Sequence, residues 1–507
     1  MRSRRCICRW CASDDRKRRC NVRALIVFTA LAVIGVSVYV GVAAAGGHSG
    51  FPLDDAWIHQ TYARNWAETG QLAYVAGQPS AGSTAPLWTL LISIAYRLRI
   101  DPFLWTRLLG AVSLGVSAWL MYRLADRLMP GRRTIAWAIG LLGVGEWHLI
   151  WAAASGMETI LFIALALALI DRVWTQSSGW AIGAIGGLLI VTRPEGVLLI
   201  GLAATVLLAR SAKSGPKEIV KLLLGSIIVV APGLWFNVQA GGSLFPNTFY
   251  AKQREYAELM SSPSVWVQSV FEMGLAPLAG VSFVLLPGLI AWLITQRHAV
   301  RQRDQWALWL PLAWIALHTA VYTLRLPVHY QHGRYLIPII PIVILYGAIG
   351  TMRLIDRRSS RGMNRLLCVS GLTLAAAAVI VLIVFVPLGA TAYATDTAVI
   401  DDEMVVVAQW LNDHVPPDAI IAAHDIGAIG YFTRRPLLDL AGLISPEVIP
   451  FIRDEAHLMD WMNARQAAYL VTFPGWYRTL SHAPVFVQIF AGHSSFSPEH
   501  LTVYRKS

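Results

Sequence analysis

The sequence predicts a mainly α-helical, polytopic transmembrane protein with a small α/β domain at its C-terminal end. Of its 507 residues, 56% are hydrophobic and only 14% are charged, and the mean hydropathy is +0.53. Apolar segments close to the length of about 20 residues that crosses a bilayer as a helix recur along the chain. From about Tyr393 the composition becomes that of a soluble domain. Together these observations indicate a membrane part followed by an α/β domain.

Eleven apolar segments are predicted to cross the membrane. They run over residues 24–45, 103–125, 134–154, 157–174, 180–192, 196–209, 219–238, 276–295, 306–324, 333–350 and 366–389. The run Pro86–Leu98 is too short to span unaided, so we predict an interfacial or re-entrant helix there.

The prediction of two segments rather than one between residues 180 and 209 depends on a single interruption of the apolar run. A single helix of that length would measure about 45 Å, more than the hydrocarbon core of about 30 Å. The sequence Arg193-Pro194-Glu195-Gly196 breaks the apolar run, so we predict a hairpin of two short helices. One tilted helix is the alternative, and it would reverse the side of the loops that follow.

The loops richest in Lys and Arg predict the orientation of the chain. Under the positive-inside rule they lie in the cytoplasm, and they cover residues 1–23, 126–133, 210–221, 296–305 and 351–365. We therefore predict a multi-pass protein of the plasma membrane with a cytoplasmic N-terminus and an extracytoplasmic C-terminal domain. The net charge of +12 is distributed over these short loops, so it does not indicate a nucleic-acid partner.

The predicted organisation has three parts: a basic cytoplasmic tail (1–23), a transmembrane part (24–392) with a first outer loop at 46–102, and an extracytoplasmic α/β domain (393–507). The tail contains four cysteines, Cys6, Cys8, Cys11 and Cys20. Their spacing matches no standard set of zinc ligands, so we favour a disordered basic tail and keep a zinc site as the alternative. In the C-terminal domain, residue patterns predict two helices and five strands. The helices cover 401–414 and 453–465, and the strands cover 419–423, 437–440, 467–472, 485–490 and 501–504.

Asp54 and Asp55 lie in the first outer loop, directly after the first span. One interpretation is that Asp54 caps a helix running to about Glu68, with Asp55 in its first turn. The other is that a carboxylate acts as a general base or metal ligand, because deprotonating a hydroxyl requires an acceptor within hydrogen-bond reach. Both can hold together. We expect both residues at the catalytic centre, with Asp54 as the base because it is nearer the first span, and Asp55 supporting the helix start or sharing a metal ion.

Further polar residues are predicted on the same side of the membrane, and we assign them to substrate binding. Ionisable groups at membrane depth are costly and are therefore functional candidates. The basic members would hold a phosphorylated lipid head group, since Arg can grip phosphate with two N–H groups. The structural alternatives are interfacial anchoring of Arg193, ordinary loop histidines, and a carboxylate at the start of a helix for Glu158. The set is Arg64, Thr84, Glu158, Arg193, Glu195, Asn247, Lys252, His329, His332, Arg334, His424 and Asp425.

Short motifs, in order along most of the chain, resemble those of GT-C superfamily glycosyltransferases, and they are most similar to the AftB-like arabinofuranosyltransferase branch. They are Leu53-Asp54-Asp55-Ala56-Trp57-Ile58, Tyr62-Ala63-Arg64-Asn65, Gly82-Ser83-Thr84-Ala85-Pro86-Leu87-Trp88, Ser155-Gly156-Met157-Glu158-Thr159, Arg193-Pro194-Glu195-Gly196, Leu244-Phe245-Pro246-Asn247-Thr248-Phe249-Tyr250-Ala251-Lys252, Arg334-Tyr335 with Pro338, and His424-Asp425-Ile426-Gly427-Ala428-Ile429-Gly430. The chain departs from the family where members often carry an acidic residue and an aromatic before the position of Pro86, since it has Ala81 and Ser83 there.

The resemblance implies a GT-C-type transmembrane fold and an inverting integral membrane glycosyltransferase. Such an enzyme transfers a sugar from a polyprenyl-phosphate donor to a cell-envelope glycan, lipid or protein acceptor on the outer face. The resemblance also implies an acidic residue of the first outer loop at the catalytic centre, which matches Asp54, with Asp55 beside it. Some GT-C enzymes use a divalent cation such as Mg²⁺, Mn²⁺ or Ca²⁺ and others use none, so a metal held by these two residues is left open.

Two other classes of protein fit part of the pattern. A transporter or flippase for lipid-linked sugars would also contain buried charges and broken helices, but the sequence has no internal repeat of the kind many transporters carry. A non-catalytic envelope-assembly protein that has kept the fold is the third class, because fold does not determine function.

The predicted orientation can be tested with single cysteines introduced at Ser80, Arg303 and Ser445 in a cysteine-free background. Because the positive-inside rule puts the first and last positions outside, a membrane-impermeant thiol reagent should label Cys at 80 and 445 in intact cells. It should label Cys at 303 only after permeabilisation. Labelling of 303 alone in intact cells would overturn the orientation.

Overall fold

The computed structural model describes residues 5–210, 213–257, 262–356 and 362–507, without the side chains of residues 5–18, Tyr330 and Gly362. The interpretation of Cys6, Cys8 and Cys11 therefore concerns side chains that are not described, and parts of the basic loops 210–221 and 351–365 lie outside the described residues. The backbone from Arg5 onward is part of the first helix.

The part of the chain before residue 401 is built almost entirely from helices. Their bounds are α1 (Arg5–Ala45), α2 (Asp54–Thr69), α3 (Pro86–Leu98), α4 (Pro102–Leu128), α5 (Arg133–Gly145), α6 (Trp147–Ala154), α7 (Thr159–Trp174), α8 (Gly179–Thr192), α9 (Gly196–Arg210), α10 (Gly215–Gly241), α11 (Asn247–Glu255), α12 (Pro263–Leu275), α13 (Val281–Gln296), α14 (Trp306–Arg325), the short turn α15 (Tyr330–Gly333), α16 (Ile340–Ile355) and α17 (Gly362–Ile400).

Within the described residues, seven helices are long and apolar enough to cross a membrane, or eight if the pair α5 and α6, bent by 51°, forms one span. Every one of the eleven predicted segments contains a helix, as expected where no water can satisfy backbone groups. The number of eleven crossings is not confirmed, because α7, α8 and α9 have only 16, 14 and 15 residues. The predicted interruption at Arg193–Gly196 is confirmed, since α8 ends at Thr192 and α9 begins at Gly196.

The first loop contains two helices and a small hairpin. Helix α2 carries Asp54 and Asp55 in its first turn and ends at Thr69, and it is followed by Gly70, whose φ of 73° is the left-handed conformation that a helix end favours. Strands β1 (Ala73–Val75) and β2 (Gln78–Pro79) pair antiparallel. Helix α3 begins at Pro86, where proline is tolerated because the first turn leaves its N–H groups unbonded. The predicted short helix over Pro86–Leu98 is therefore confirmed.

The C-terminal region forms the predicted small α/β domain. Its elements are α18 (Val406–His414), β3 (Ile421–Ala423), α19 (Gly427–Thr433), β4 (Leu437–Asp439), α20 (Glu455–Ala464), β5 (Tyr469–Thr472), α21 (Arg478–Ser481), β6 (Phe486–Ala491) and β7 (Thr502–Lys506). The strand order is β4-β3-β5-β7-β6, with β3 parallel to both β4 and β5 and with antiparallel pairs β5–β7 and β6–β7. All five predicted strands and the helix predicted over 453–465 are confirmed within a few residues.

The membrane part and the C-terminal domain are joined without a linker. Helix α17 continues past the composition change near Tyr393 into a π-helical turn at Asp401–Val405 and then into α18. Asp401 accepts hydrogen bonds from the backbone N–H groups of Ser49 and Gly50, at the start of the first loop. A hydrophobic core cluster contains residues of α2 and of the C-terminal domain together, so the first loop is part of the domain contact.

Helices α13 and α16 pack at a glycine contact. A β carbon added at Gly350 would collide with the backbone carbonyl of Gly288, and one added at Gly288 would collide with the carbonyl of Gly347. Glycine is required at this contact because the two backbones approach more closely than any side chain allows.

Gly350→Ala should therefore destabilise the folded protein by about 1–3 kcal/mol, as overpacking does. Thermal unfolding followed by tryptophan fluorescence should show a lower Tm. Gly201→Ala is the matched control, because a β carbon there meets open space. An unchanged Tm for Gly350→Ala would mean that α13 and α16 do not pack at this distance.

Candidate active site

A cavity of about 560 Å³ lies at the end of the membrane helices that carries the C-terminal domain. It is bounded by α2, the α6–α7 and α8–α9 turns, α11, α14 and the segment between α15 and α16. Its polar lining is Asp55, His59, Ser83, Thr84, Glu158, Thr159, Arg193, Glu195, Thr248, Lys252, Gln253, Tyr322, Arg325, Arg334 and Tyr335.

One wall of the cavity is apolar and reaches the outer surface of the helices. Val197 on α9, Phe249 on α11 and Leu324 on α14 line it, and all three are exposed large hydrophobic side chains. Exposed apolar side chains of this kind suit contact with the hydrocarbon chains of lipids. The cavity therefore combines a polar interior with an apolar wall that is exposed at the surface of the helices.

Asp55 is the centre of the polar interior. Its Oδ2 accepts hydrogen bonds from Arg334 Nη2 at 2.8 Å and from Lys252 Nζ at 3.3 Å. The hydroxyl of Tyr335 lies 3.1 Å from Arg334 Nη2 and 3.4 Å from Lys252 Nζ. Burial alone would raise the pKa of Asp55, but Lys252 and Arg334 outweigh it and hold the pKa below its usual range. Asp55 is therefore an ionised carboxylate facing two cations.

Asp54 has different surroundings. Its two carboxylate oxygens accept hydrogen bonds from the backbone N–H groups of Gly427 and Ala428, both at 2.7 Å, at the start of α19. Burial and the nearby Asp425 carboxylate raise the pKa of Asp54 to about 7, although these two N–H groups lower it. The expectation that Asp54 caps its own helix is wrong, because α2 begins after Leu53 with no side-chain cap bond. Among the described residues, Asp55 lines the cavity and Asp54 does not.

The pair does not fit a divalent cation. Asp54 gives both oxygens to backbone N–H groups, and Asp55 is faced by Lys252 and Arg334, whereas Mg²⁺ and Ca²⁺ need several oxygen ligands. Across the described ranges, no group of three or more His, Cys, Asp or Glu side chains is arranged to hold a metal ion.

A second polar network lines the cavity beside Asp55. Glu158 lies 3.4 Å from His59 through Oε2 and 3.4 Å from Arg193 through Oε1. Arg193 Nε donates to Glu195 Oε1 at 2.6 Å. Tyr322 accepts from Arg193 at 2.9 Å and donates to Glu195 at 2.6 Å. The turn between α8 and α9 thus adds its charges to those of α2 and of the α6–α7 turn.

A strained turn precedes Arg334. Gln331, His332 and Gly333 have φ values of 55°, 59° and 67°, and left-handed conformations of non-glycine residues cost about 1–3 kcal/mol each. His332 Nε2 lies 2.7 Å from Asp396 Oδ2 on α17, and its ring lies against Trp147 and Trp151. These contacts hold the turn that directs Arg334 toward Asp55. His332 itself pairs with α17 rather than lining the cavity.

The remaining predicted residues lie outside the cavity. Arg64 donates to the backbone carbonyl of Tyr431 at 2.7 Å, and Asn247 donates to that of Leu443 at 3.3 Å, so both contact the C-terminal domain. His329 pairs with Glu272 at 3.1 Å and is half exposed. Of the twelve residues assigned to substrate binding, the cavity brings together Thr84, Glu158, Arg193, Glu195, Lys252 and Arg334.

His424, which is buried, and Asp425, which is half-buried, lie outside the cavity and next to the end of α11. His424 Nε2 lies 3.3 Å from Glu255 Oε1, and its Nδ1 lies 2.9 Å from the Tyr477 hydroxyl. Burial would lower the pKa of His424, but the hydrogen bond with Glu255 and the Asp425 charge raise it above its usual value. This cluster connects α11, which carries Lys252, to the C-terminal domain.

Sequence reasoning assigned no role to several residues of these networks, among them Tyr322, Tyr335 and Glu255. Tyr322 and Tyr335 belong to apolar segments, and Tyr335 was noted only as part of the Arg334-Tyr335 motif. Glu255 follows Lys252 at helical spacing in the charged run Lys252-Gln253-Arg254-Glu255, and a search for charged neighbours on one helix face could have found it.

Comparisons with known proteins show the fold. A family model described as a domain of unknown function (DUF8728) matches residues 397–504, and no curated protein matches the chain. The crystal structure of ArnT from Cupriavidus metallidurans bound to undecaprenyl phosphate is similar with a TM-score of 0.57 and 15% identity, over 94% of this chain and 97% of that one.

Two further solved structures are similar. The oligosaccharyltransferase of Archaeoglobus fulgidus in its apo form has a TM-score of 0.57 and 10% identity, over 96% of this chain and 74% of that one. The arabinofuranosyltransferase AftD from Mycobacteria has a TM-score of 0.50 and 16% identity, over 95% and 41%. At these identities the likeness shows the fold alone, a GT-C-type transmembrane fold that this chain shares with these structures.

Asp54→Asn should loosen the contact between α2 and the C-terminal domain. The amide keeps one acceptor oxygen and loses the other; above pH 7, where Asp54 is ionised, a hydrogen bond to a charged group is worth about 1.5–3 kcal/mol. We expect a lower Tm and faster limited proteolysis within residues 415–507. Asp418→Asn, at an exposed aspartate of the same domain, is the control and should match the parent. Parent-like stability of Asp54→Asn would show that the two N–H bonds do not hold this contact.

Proposed function

We propose that this protein is a membrane glycosyltransferase that takes a sugar from a polyprenyl-phosphate donor. The observation that carries the proposal is one carboxylate, Asp55, facing Lys252 and Arg334 in a cavity whose apolar wall opens toward lipid. A lipid phosphate that bears a sugar has the matching chemistry: an apolar chain, an anionic phosphate and a polar group beyond it.

In this proposal the donor phosphate binds Lys252 and Arg334, with the polyprenyl chain along the wall formed by Val197, Phe249 and Leu324. Arg and Lys form strong charge-assisted hydrogen bonds with phosphate oxygens. The structural likeness to ArnT, which was crystallised with undecaprenyl phosphate, supports this class of donor. Arg193 is already paired with Glu158 and Glu195. We therefore no longer assign it to the donor phosphate and propose instead that it lies near the sugar of the donor.

We assign the base to Asp55 rather than to the residue favoured from sequence, Asp54. The acceptor hydroxyl attacks the anomeric carbon as the bond from that carbon to the phosphate oxygen breaks. The hydroxyl proton passes to Asp55, and polyprenyl phosphate leaves with the electron pair of the broken bond. Attack from the face opposite the phosphate inverts the anomeric carbon.

Donor binding would also strengthen the base. Lys252 and Arg334 hold the pKa of Asp55 low in the free protein, and a phosphate that attracts both cations weakens their hold on the carboxylate. The pKa of Asp55 then rises toward the range in which a carboxylate accepts a proton more readily. The same two cations stabilise the negative charge of the departing polyprenyl phosphate.

The acceptor in this proposal is a cell-envelope glycan, lipid or protein on the extracytoplasmic face, next to the C-terminal domain. Membership of the AftB-like arabinofuranosyltransferase branch rests on the motifs of the sequence, and it makes polyprenyl-phosphate arabinofuranose the first donor to test. The basic loops on the opposite side support this orientation.

Asp55→Asn should lower kcat by about 100-fold or more, because general-base catalysis contributes about 10²–10⁴-fold. Donor affinity should persist, since the phosphate still meets Lys252 and Arg334. The measurement is release of polyprenyl phosphate from a panel of polyprenyl-phosphate sugars, led by arabinofuranose, by purified protein in lipid nanodiscs. Asp54→Asn is the matched variant and should retain a rate within severalfold of the parent.

Three results would contradict these assignments. A parent-like rate for Asp55→Asn with a large loss for Asp54→Asn would reverse the two roles. Parent-like rates for both variants would show that the catalytic base is not in this loop. A parent protein that turns over no donor of the panel would contradict the proposal that this protein is a glycosyltransferase.

A further inference from the structure

The cavity contains a buried carboxylate oxygen that the proposed transfer step does not use. Glu158 is only 3% exposed and lines the cavity. Its Oε2 makes no hydrogen bond of good geometry among the described residues, and its contact with His59 Nε2 is long, at 3.4 Å. A buried carboxylate oxygen with only one long contact is incompletely satisfied, so it can accept a further hydrogen bond from a ligand in the cavity.

The surrounding side chains hold Glu158 in place. Arg193 lies 3.4 Å from Oε1 and is itself tied to Glu195. On the other side, His59 Nδ1 lies 3.4 Å from the hydroxyl of Thr89, which lies 3.1 Å from that of Ser83. A carboxylate whose neighbours are bonded in turn is a preorganised acceptor.

Capping of helix α7 does not explain this position. The start of a helix favours a carboxylate, and Glu158 directly precedes α7, but its side chain makes no cap hydrogen bond there. The side chain turns into the cavity instead, on the same polar lining as Asp55.

We propose that Glu158 accepts a hydrogen bond from a hydroxyl of the donor's sugar and so disfavours a sugar that carries its own negative charge. This inference rests on the proposed function and adds the recognition of the sugar to it. An ionised carboxylate can only accept hydrogen bonds, and a hydroxyl supplies the missing donor. A sugar that carries its own carboxylate would be repelled by Glu158 and Glu195, which discriminates against uronic acids.

The test separates the sugar from the lipid phosphate. Dissociation constants are measured in nanodiscs for polyprenyl phosphate and for polyprenyl-phosphate arabinofuranose, with the parent, Glu158→Gln and a control. Glu68→Gln is the control, because Glu68 is an exposed glutamate on the same helix as His59. Glu158→Gln should bind the sugar-bearing lipid at least about tenfold more weakly, as expected for the loss of a charge-assisted hydrogen bond. The affinity of Glu158→Gln for polyprenyl phosphate should stay within about twofold of the parent value. The control should bind both lipids within about twofold of the parent.

His59→Gln is the second variant if Glu158→Gln fails to fold, since it removes the ring beside the Glu158 oxygen and should show the same sugar-selective loss. If the folded variant binds both lipids equally more weakly, or binds both as the parent does, the proposed sugar site is overturned while the donor phosphate site is not. A parent protein that binds neither lipid would instead overturn the proposed function.

Discussion

Charge balance inside an apolar cavity is the constraint on which the arrangement of this protein depends. An isolated buried charge is costly, and removing one partner of a buried pair leaves the other uncompensated. Asp55 meets this constraint with Lys252 from α11 and Arg334 from the turn before α16. Charges distant in sequence must therefore converge, and the helices that carry them have to pack so that they do.

The two adjacent aspartates have separate tasks because they begin a helix. Successive residues of an α-helix point about 100° apart, so Asp54 and Asp55 cannot face the same surroundings. Asp54 is directed to the backbone of α19 in the C-terminal domain, and Asp55 is directed to the cavity. Docking of the domain and orientation of the reactive carboxylate are thereby coupled through one turn of helix α2.

Rigid connections maintain this geometry over long distances. Helix α17 passes into α18 through a π-helical turn, a feature frequent at functional sites, and it also carries Asp396. That carboxylate holds His332 and accepts a hydrogen bond from Trp151. The strained turn that presents Arg334 is thus fixed by the same helix that positions the C-terminal domain, so movement of either would alter the partners of Asp55.

Hydropathy and residue patterns determined the fold class, the helical segments, the break at residues 193–196 and the strands of the C-terminal domain. These features are local, because a run of apolar residues or an alternating pattern acts on the neighbouring backbone. The sequence also predicted most of the charged residues that line the cavity, since ionisable residues are easily recognised in an apolar chain. Only the tertiary structure decided that Asp55 faces the cavity and that Asp54 binds α19, and it alone brought Tyr322, Tyr335 and Glu255 into the networks. The direction and the partners of a side chain depend on helices hundreds of residues apart, and no local pattern records how those helices pack.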